Sequence, residues 1–308
     1  MTTRDYDEHR LASAKVIVGV DSSAGADTAL RWAADFAAAR GRELQIVHGM
    51  NLIEGSTAVG TFVVMTPAVT DAVHTAAKTI MERARELVHE IAPELRVSTV
   101  LTADSAAGLL VAHSADAYAV VLGAAGSAGT VAHLGSTLLA VTAHAHGTVI
   151  VVRTDPDADD TVHTGGPVVV GIDGGPVSEA AIGVAFAEAA ERRTSLVAVH
   201  VWSDWDFGQF AGRDHLHLPD VDLGEAEPAI LAERLAGWQE KYPDVPVTRE
   251  ISRFAPAAEL QRWSKSAQLV VVGNRGRGGF TGLLLGSTAH SLVQHAYCPV
   301  MVVHPRTR

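Results

Sequence analysis

The chain has 308 residues, which is enough for two domains of about 150 residues each. With 47% hydrophobic and 19% charged residues, its composition is that of a globular protein and excludes a disordered or fibrous one. A net charge of −11 argues against general nucleic-acid binding, and a single cysteine, Cys298, excludes an internal disulfide.

The first half predicts an alternation of buried strands and helices. A strand KVIVGVD ends at Asp21 and is followed by a helix from about Ala26 to Arg40, with Gly41 as its stop. A strand LQIVH and a long helix near Asp71 to Ile91 come next. The rest follows as strand, helix, strand VVLG, glycine segment, helix and strand.

The segment from Thr154 to Pro167, TDPDADDTVHTGGP, separates the two halves. It is rich in Asp, Gly and Pro and has no hydrophobic period, so we expect a solvated, flexible connector.

The second half predicts the same alternation. Its elements are a strand at Val168 to Ile172, a helix that runs through Arg192, strands at Leu196 to Val201 and Val247 to Ile251, a helix opened by Pro256, a strand at Leu269 to Val272, a helix from Gly286 toward His295, and a strand at Val300 to Val303.

Four short motifs recur in the same order in both halves. KVIVGVD matches PVVVGID, LQIVH matches LVAVH, VVLG matches VVVG, and LGST occurs twice, at offsets of 150 to 152 residues. Such a repeat indicates two copies of one α/β unit. We therefore predict a domain at residues 12–154, an acidic linker at 155–166 and a second domain at 167–306, each a doubly wound five-stranded parallel sheet with helices on both faces.

In such sheets, ligands bind beyond the carboxyl ends of the strands, where the winding reverses. The loop after the fourth strand of the second half, GNRGRGGFTGLLLGST, places Gly273, Gly276 and Gly286 in a Gly-x2-Gly-x9-Gly-Ser pattern. Its backbone amides, its two arginines and the helix that opens at Gly286 favour a phosphate. The alternative is a mobile surface loop whose arginines serve solubility.

Two common nucleotide motifs are absent from the chain. There is no GxxxxGK[ST] sequence, and no GxGxxG follows the first strand of either half.

The Gly-x2-Gly-x9-Gly-Ser pattern after a VVVG strand, with a VGxD strand at the start of the domain, resembles the universal stress protein family. The whole chain resembles a tandem version with two copies. The resemblance implies strand order 3-2-1-4-5, binding of ATP with magnesium, and dimers built partly through the fifth strand.

The resemblance also implies the residues of the nucleotide site. Asp173 would face adenine and ribose, Val199 would offer backbone groups to adenine, and the loop would surround the phosphates. In the second half the site comprises Gly171, Asp173, Val199, Gly273, Asn274, Arg275, Gly276, Arg277, Gly286, Ser287 and Thr288; in the first half it comprises Gly19, Asp21, Val47, Gly123, Gly126, Gly135 and Ser136. Asp173 could instead be a turn or capping residue, and Val199 could be plain core.

The first half departs from the motif. Its loop, GAAGSAGTVAHLGST, has eight residues before Gly135 instead of nine, and Ala125 and Ser127 stand at the arginine positions. Charge-assisted hydrogen bonds contribute about 1.5–3 kcal/mol each before solvent exposure is discounted. We therefore expect the second site to bind ATP more tightly.

The resulting hypothesis is a nucleotide-dependent regulator of the stress response, with an adenine nucleotide as ligand. The alternatives are a slow ATP-hydrolysing enzyme and a protein-interaction scaffold with empty pockets. We assign no catalytic residue and no metal-binding side chain, because no nucleophile–base pair is visible and His144 and His146 lack a ligand spacing.

A homodimer with unidentified regulatory protein partners is expected, without nucleic-acid or membrane contacts. No apolar run of about 18 residues and no signal peptide are found, so we predict a cytoplasmic protein. His48 and His200, at the ends of the second strands, could line the cleft or pack against it. Cys298 is expected to be a buried structural thiol.

Overall fold

The computed structural model describes residues 13–52, 66–124, 135–201, 226–252, 255–276 and 285–305. The chain divides into two compact units, one formed by Met1–Val152 with His304–Arg308 and the other by Arg153–Val303.

Strands and helices alternate in the first unit as the sequence predicts. Its strands are β1 (Val16–Gly19), β2 (Leu44–Gly49), β3 (Val97–Thr102), β4 (Ala119–Gly123) and β5 (Thr148–Val152). Its helices are α1 (Ala24–Ala39), α2 (Pro67–Ile91), α3 (Ala106–Ser114) and α4 (Ser136–His144).

The second unit repeats this alternation. Its strands are β6 (Val168–Ile172), β7 (Leu196–Val201), β8 (Val247–Ser252), β9 (Leu269–Gly273) and β10 (Val300–Val303). Its helices are α5 (Pro176–Glu191), α6 (Ala226–Lys241), α7 (Pro256–Ser264) and α8 (Ser287–His295).

The strand order confirms the predicted fold class. The first unit has the order β3-β2-β1-β4-β5, and the second has the equivalent order β8-β7-β6-β9-β10. The strand pairs within each unit are parallel. The winding reverses between the first and fourth strands of each unit, where a ligand is expected.

The core of each unit is a sheet of β-branched residues covered by helices. Val168, Val169 and Val170 of β6 are 0% exposed, which fits a parallel strand with both faces covered. The helices pack in pairs, α1 with α2 and α3 with α4, and the second unit repeats this with α5 and α6 and with α7 and α8.

Local capping explains where helices start and stop. Ser23 accepts a hydrogen bond from Ala26 N at 3.1 Å, so α1 begins two residues earlier than predicted. Thr66 caps α2 and Pro67 occupies its first turn, which extends that helix by a turn beyond the prediction. Gly41, at φ +60, follows α1 as expected of a stop residue.

The segment between the repeats is not the flexible connector that we expected. Asp155 is 6% exposed, and its Oδ2 lies 2.8 Å from Nε2 of His163. The other ring nitrogen, Nδ1, lies 2.9 Å from Ala267 O, and Asp155 forms an antiparallel bridge with Thr161. A buried carboxylate needs such partners, and they hold the segment in place. Composition alone does not reveal them.

Among the helices that the structure describes, none is both long enough and apolar enough to cross a membrane.

Candidate functional site

The sheet register brings the predicted site residues of the second half to one edge. β6 pairs with β9 through Val168↔Leu269 to Val170↔Val271, so both strands end at the same level. Asp173 follows β6, and the glycine loop follows β9 at Gly273. The carboxylate and the loop are therefore neighbours because parallel strands end together.

Asp173 is fixed by the turn that follows its strand. Its Oδ1 accepts a hydrogen bond from Gly175 N at 2.8 Å, and its own N–H donates to Ser178 Oγ at 3.2 Å. The turn role that the sequence left open is thus real. Its second carboxylate oxygen, Oδ2, faces the loop, because a Cβ added at Gly276 would lie 2.9 Å from it. Asp173 therefore supports the turn with one oxygen and borders the loop with the other.

Asn274 connects the loop to its surroundings through its backbone. Its N–H donates to Val303 O at 2.8 Å, and its carbonyl accepts from Gly286 N at 2.8 Å. The side chain is 6% exposed, and within the described part of the chain its Oδ1 has no hydrogen-bond partner. A buried polar atom without a partner is unfavourable and marks a place where a partner is missing.

The helices that follow β6 and the glycine loop, α5 and α8, carry no side-chain cap at their amino ends. Gly286 precedes α8 and Gly175 precedes α5, and neither supplies a capping side chain. Uncapped first-turn amides and the helix dipole together attract an anion. Ser287 is exposed at the start of α8, so its hydroxyl is accessible.

The remaining loop residues are placed as follows. Arg275 is exposed beside Gly276, and Thr288 is partly buried in the first turn of α8. Arg277 of the second half and Gly126 of the first half lie outside the described residues.

Several predicted site residues lie within the packed sheet. Gly171 and Gly19 make room for side chains of the sheet and the covering helices: a Cβ at 171 would be 2.8 Å from Leu260 Cδ1, and one at 19 would be 2.7 Å from Leu122 Cδ2. Val199 and Val47 are 1% exposed. Their place is in the core, which is the alternative that the sequence left open for Val199.

Strand register indicates a residue that sequence reasoning missed. Val199 is paired on both sides, with Gly171 and with Glu250. Val201 is paired only with Ser252, because β6 ends opposite His200. The backbone groups at the carboxyl edge next to Asp173 are thus those of Val201. Val201 is recognised from the position where β6 ends and not from its residue type.

The first unit repeats part of this arrangement. Asp21 Oδ1 accepts from Ser23 N at 2.8 Å, as Asp173 does from Gly175. Gly135 precedes α4 without a capping side chain, and Ser136 opens that helix. The amino end of α1, however, is capped by Ser23. Of the two helix ends at this edge, the first half therefore leaves one uncapped, that of α4, whereas the second half leaves both uncapped, those of α5 and α8.

Gly123 and Gly273 have packing roles at the ends of their strands. A Cβ at position 123 would collide with the backbone carbonyl of Gly25, and one at 273 would lie 2.9 Å from Val177 Cγ1. Each glycine lets the first turn of the neighbouring helix approach the end of the fourth strand. Helix packing therefore explains why glycine stands at both positions, whether or not a ligand binds there.

His48 and His200 have equivalent positions. Their Nδ1 atoms lie 2.8 Å from Val20 O and Ile172 O, the carbonyls just before Asp21 and Asp173. A carbonyl only accepts, so each Nδ1 donates and its ring holds the end of the first strand. Both histidines position the aspartate turn.

Two clefts lie away from the glycine loop. One of about 490 Å³ is lined by Glu179, Glu233, Arg234, Gly237 and Trp238, on α5 and α6. The other, of about 420 Å³, borders the 161–166 segment, Lys265 and Ser266. Neither includes a residue of the predicted nucleotide site.

Metal-binding side chains do not cluster in the described ranges, where no group of three or more His, Cys, Asp or Glu residues could hold an ion. Cys298 is fully buried, as predicted, and burial raises its thiol pKa to about 12. Such a thiol is a poor nucleophile or metal ligand.

Comparison with known proteins gives consistent matches along the chain. The model of the universal stress protein family matches residues 13–153 and 166–304. A universal stress protein of Mycolicibacterium smegmatis is 40% identical over 306 residues, covering 94% of this chain and 97% of that protein. Universal stress protein Rv2623 of Mycobacterium tuberculosis is 38% identical over 295 residues, covering 94% and 96%.

A solved structure shares the fold over the same length. The crystal structure of a universal stress protein from Archaeoglobus fulgidus superposes with a TM-score of 0.70 at 18% identity, covering 96% of this chain and 99% of that one. With two matched domains and relatives similar over nearly their whole length, the chain belongs to the universal stress protein family.

Proposed function

We propose that the chain is an ATP-binding regulator and that its principal nucleotide site lies in the second unit. The observation that carries this proposal is that two uncapped helix ends meet one loop: Gly175 at the start of α5 donates to Asp173, Asp173 faces Gly276, and Gly276 lies against Gly286 at the start of α8. The free amides at such helix ends donate hydrogen bonds to the phosphates of a nucleotide, and a carboxylate accepts hydrogen bonds from ribose hydroxyls.

Each group in this arrangement has a chemical role. Ser287 and the first-turn amides of α8 would donate to phosphate oxygens, and Arg275 would add a positive charge. Asp173 would accept from ribose, and the backbone of Val201 would meet the base. The unpartnered Oδ1 of Asn274 supports a ligand at this loop, because a bound donor would complete its hydrogen bonding.

The first unit would bind ATP more weakly. Ala125 and Ser127 replace the arginine positions, and Ser23 caps the helix end that is left uncapped by Gly175 in the second unit. The loss of one arginine contact alone corresponds to roughly tenfold in affinity after discounting for exposure.

Regulation, not turnover, is the proposed use of the nucleotide. The sequence contains no GxxxxGK[ST] motif and therefore no P-loop lysine, so hydrolysis would be slow or absent. Magnesium would neutralise phosphate charge when it is bound with ATP. A homodimer, regulatory protein partners and a cytoplasmic location complete the proposal.

Calorimetric titration with MgATP tests the proposal. Ser287→Ala and Arg275→Ala should each weaken the tighter binding event about tenfold, whereas Ser136→Ala should leave it unchanged. These changes avoid Gly123 and Gly273, whose replacement would disturb packing.

Mass spectrometry of the denatured protein would identify any small molecule that copurifies. Copurified ATP would support a regulator that holds its nucleotide, and ADP with free phosphate would favour the slow enzyme. If ATP neither copurifies nor raises the melting temperature, the proposal is wrong and an interaction scaffold is favoured.

A further inference from the structure

The histidine that follows β10 is buried between two backbone carbonyls. His304 is 4% exposed and belongs to the first unit. Its Nδ1 lies 3.0 Å from Gly147 O, and its Nε2 lies 2.8 Å from Thr142 O. Its backbone N–H also donates to Gly147 O at 2.9 Å. Both ring nitrogens therefore face groups that only accept hydrogen bonds.

A neutral imidazole cannot satisfy both of these contacts. It has one N–H and one lone pair, so one nitrogen would place its lone pair against a carbonyl oxygen. The imidazolium donates from both nitrogens and makes both hydrogen bonds. Thr142 lies in the last turn of α4 (Ser136–His144), where the helix dipole favours a positive charge. The docked position thus selects the protonated ring.

The second unit holds a permanently charged counterpart of this contact. Arg153 follows β5 as His304 follows β10. Its Nε donates to Ala296 O at 2.6 Å and its Nη1 to Val293 O at 3.0 Å. Val293 is the seventh residue of α8, as Thr142 is the seventh residue of α4. Burial lowers the Arg153 pKa, yet a guanidinium stays charged at any physiological pH.

We propose that His304 is a proton-dependent cap of α4, so that its contacts with Thr142 and Gly147 within the first unit become firmer as the pH falls. Arg153 forms the equivalent cap of α8, and this cap does not depend on protonation. The elements that supply the acceptors of His304 carry two titratable side chains, His144 on α4 and His146 in the following turn, and both are exposed. The paired caps indicate that acidification strengthens the cap of α4 and leaves the cap of α8 unchanged.

The direction of the pH dependence follows from the state, docked or undocked, in which the His304 ring binds its proton more tightly. The docked ring binds its proton more tightly than the undocked ring, so docking is strongest at low pH and weakens as the pH rises. The backbone amide of His304 reports this directly, because it is protected from exchange only while it donates to Gly147 O.

The test combines ring protonation with amide exchange in the full chain. Nitrogen NMR of the histidine rings should show both His304 nitrogens protonated at a pH where exposed histidines are neutral. The protection factor of the His304 amide should fall about tenfold between about pH 6 and about pH 8.

Two substitutions provide matched controls. His304→Arg should remove this pH dependence while keeping the protection, and Arg153→His should introduce it at the corresponding place in the second unit. A His304 ring that remains a neutral single tautomer across this range would overturn the proposal. The proposal would also be overturned if the protection of the amide at position 304 in His304→Arg kept the pH dependence of the wild type. The same would follow if His304→Gln showed the wild-type pH dependence.

Discussion

Gly276 and Asp173 are in contact: a side chain at position 276 would begin 2.9 Å from Asp173 Oδ2. The other oxygen of that carboxylate is held by Gly175 N, so the group cannot turn away without losing a hydrogen bond. The second glycine of the Gly-x2-Gly pattern therefore keeps space beside the aspartate. This relationship connects two motifs that lie about 100 residues apart in the sequence.

Gly276→Ala should weaken ATP binding at a small cost in stability. The added methyl group meets only the Asp173 carboxylate, so the loss of stability should be that of one hydrogen bond, about 1 kcal/mol, while the dissociation constant rises about tenfold. Titration calorimetry and thermal unfolding measure the two effects. Gly237→Ala is the control, because nothing lies within 4 Å of its added Cβ and it is remote from the loop. Equal affinity in Gly276→Ala and wild type would contradict this role.

Gly123→Ala should be more destabilising than Gly273→Ala, although the two positions are equivalent. At 123 the new Cβ meets the backbone of Gly25, which cannot move without shifting α1, and we expect a loss of about 3 kcal/mol. At 273 its nearest neighbours are Val177 Cγ1 at 2.9 Å and the backbone carbonyl of Arg275 at 3.2 Å, so a smaller shift relieves the overlap, and we expect about 1 kcal/mol. Urea unfolding of both variants checks the order, and a reversed order would refute the packing argument.

The alternation of strands and helices was predictable because buried parallel strands are continuous apolar runs, such as Val168 to Ile172. The repeat then predicted two copies of the same unit. Helix ends were less accurate, because a cap such as Ser23 at the start of α1 lies outside the hydrophobic pattern.

The site was only partly predictable, because glycines serve packing as well as binding. Gly19 and Gly171 match the family pattern, yet the side chains that fill their space come from distant strands and helices. Val201 was missed because it lies one residue beyond the point where β6 ends, which is visible only from the register. The hydrogen bonds of Asp155 and His163 likewise depend on a contact with Ala267, more than 100 residues away.

Asp155→Ala should loosen the segment between the repeats. It removes a buried carboxylate that accepts from Asp157 N and faces His163, and we expect a loss of about 1–3 kcal/mol with faster proteolysis at residues 156–162. Asp157→Ala is the matched control: that carboxylate is 66% exposed and pairs with Lys265 at 3.0 Å, so its loss should change stability by less than about 0.5 kcal/mol. Similar cleavage rates in the two variants would show that the buried contacts do not hold the segment.

Cys298 should be unreactive in the native protein. Burial raises its thiol pKa from 9.0 to about 12, so at pH 8 the thiolate fraction is about a thousandfold smaller than in the unfolded chain. Because the folded state disfavours the thiolate, this contribution to stability is complete below pH 9.0 and is lost as the pH rises toward about 12.

Alkylation followed by mass spectrometry measures the exposure of this thiol. Labelling should be slow in buffer and should accelerate with urea together with the unfolding of the second unit. Cys298→Ala should stay unlabelled at every urea concentration and should reduce the loss of stability above pH 9.0. Rapid labelling of the native protein at pH 8 would mean that the thiol reaches solvent by a local opening, because its full burial leaves no direct access.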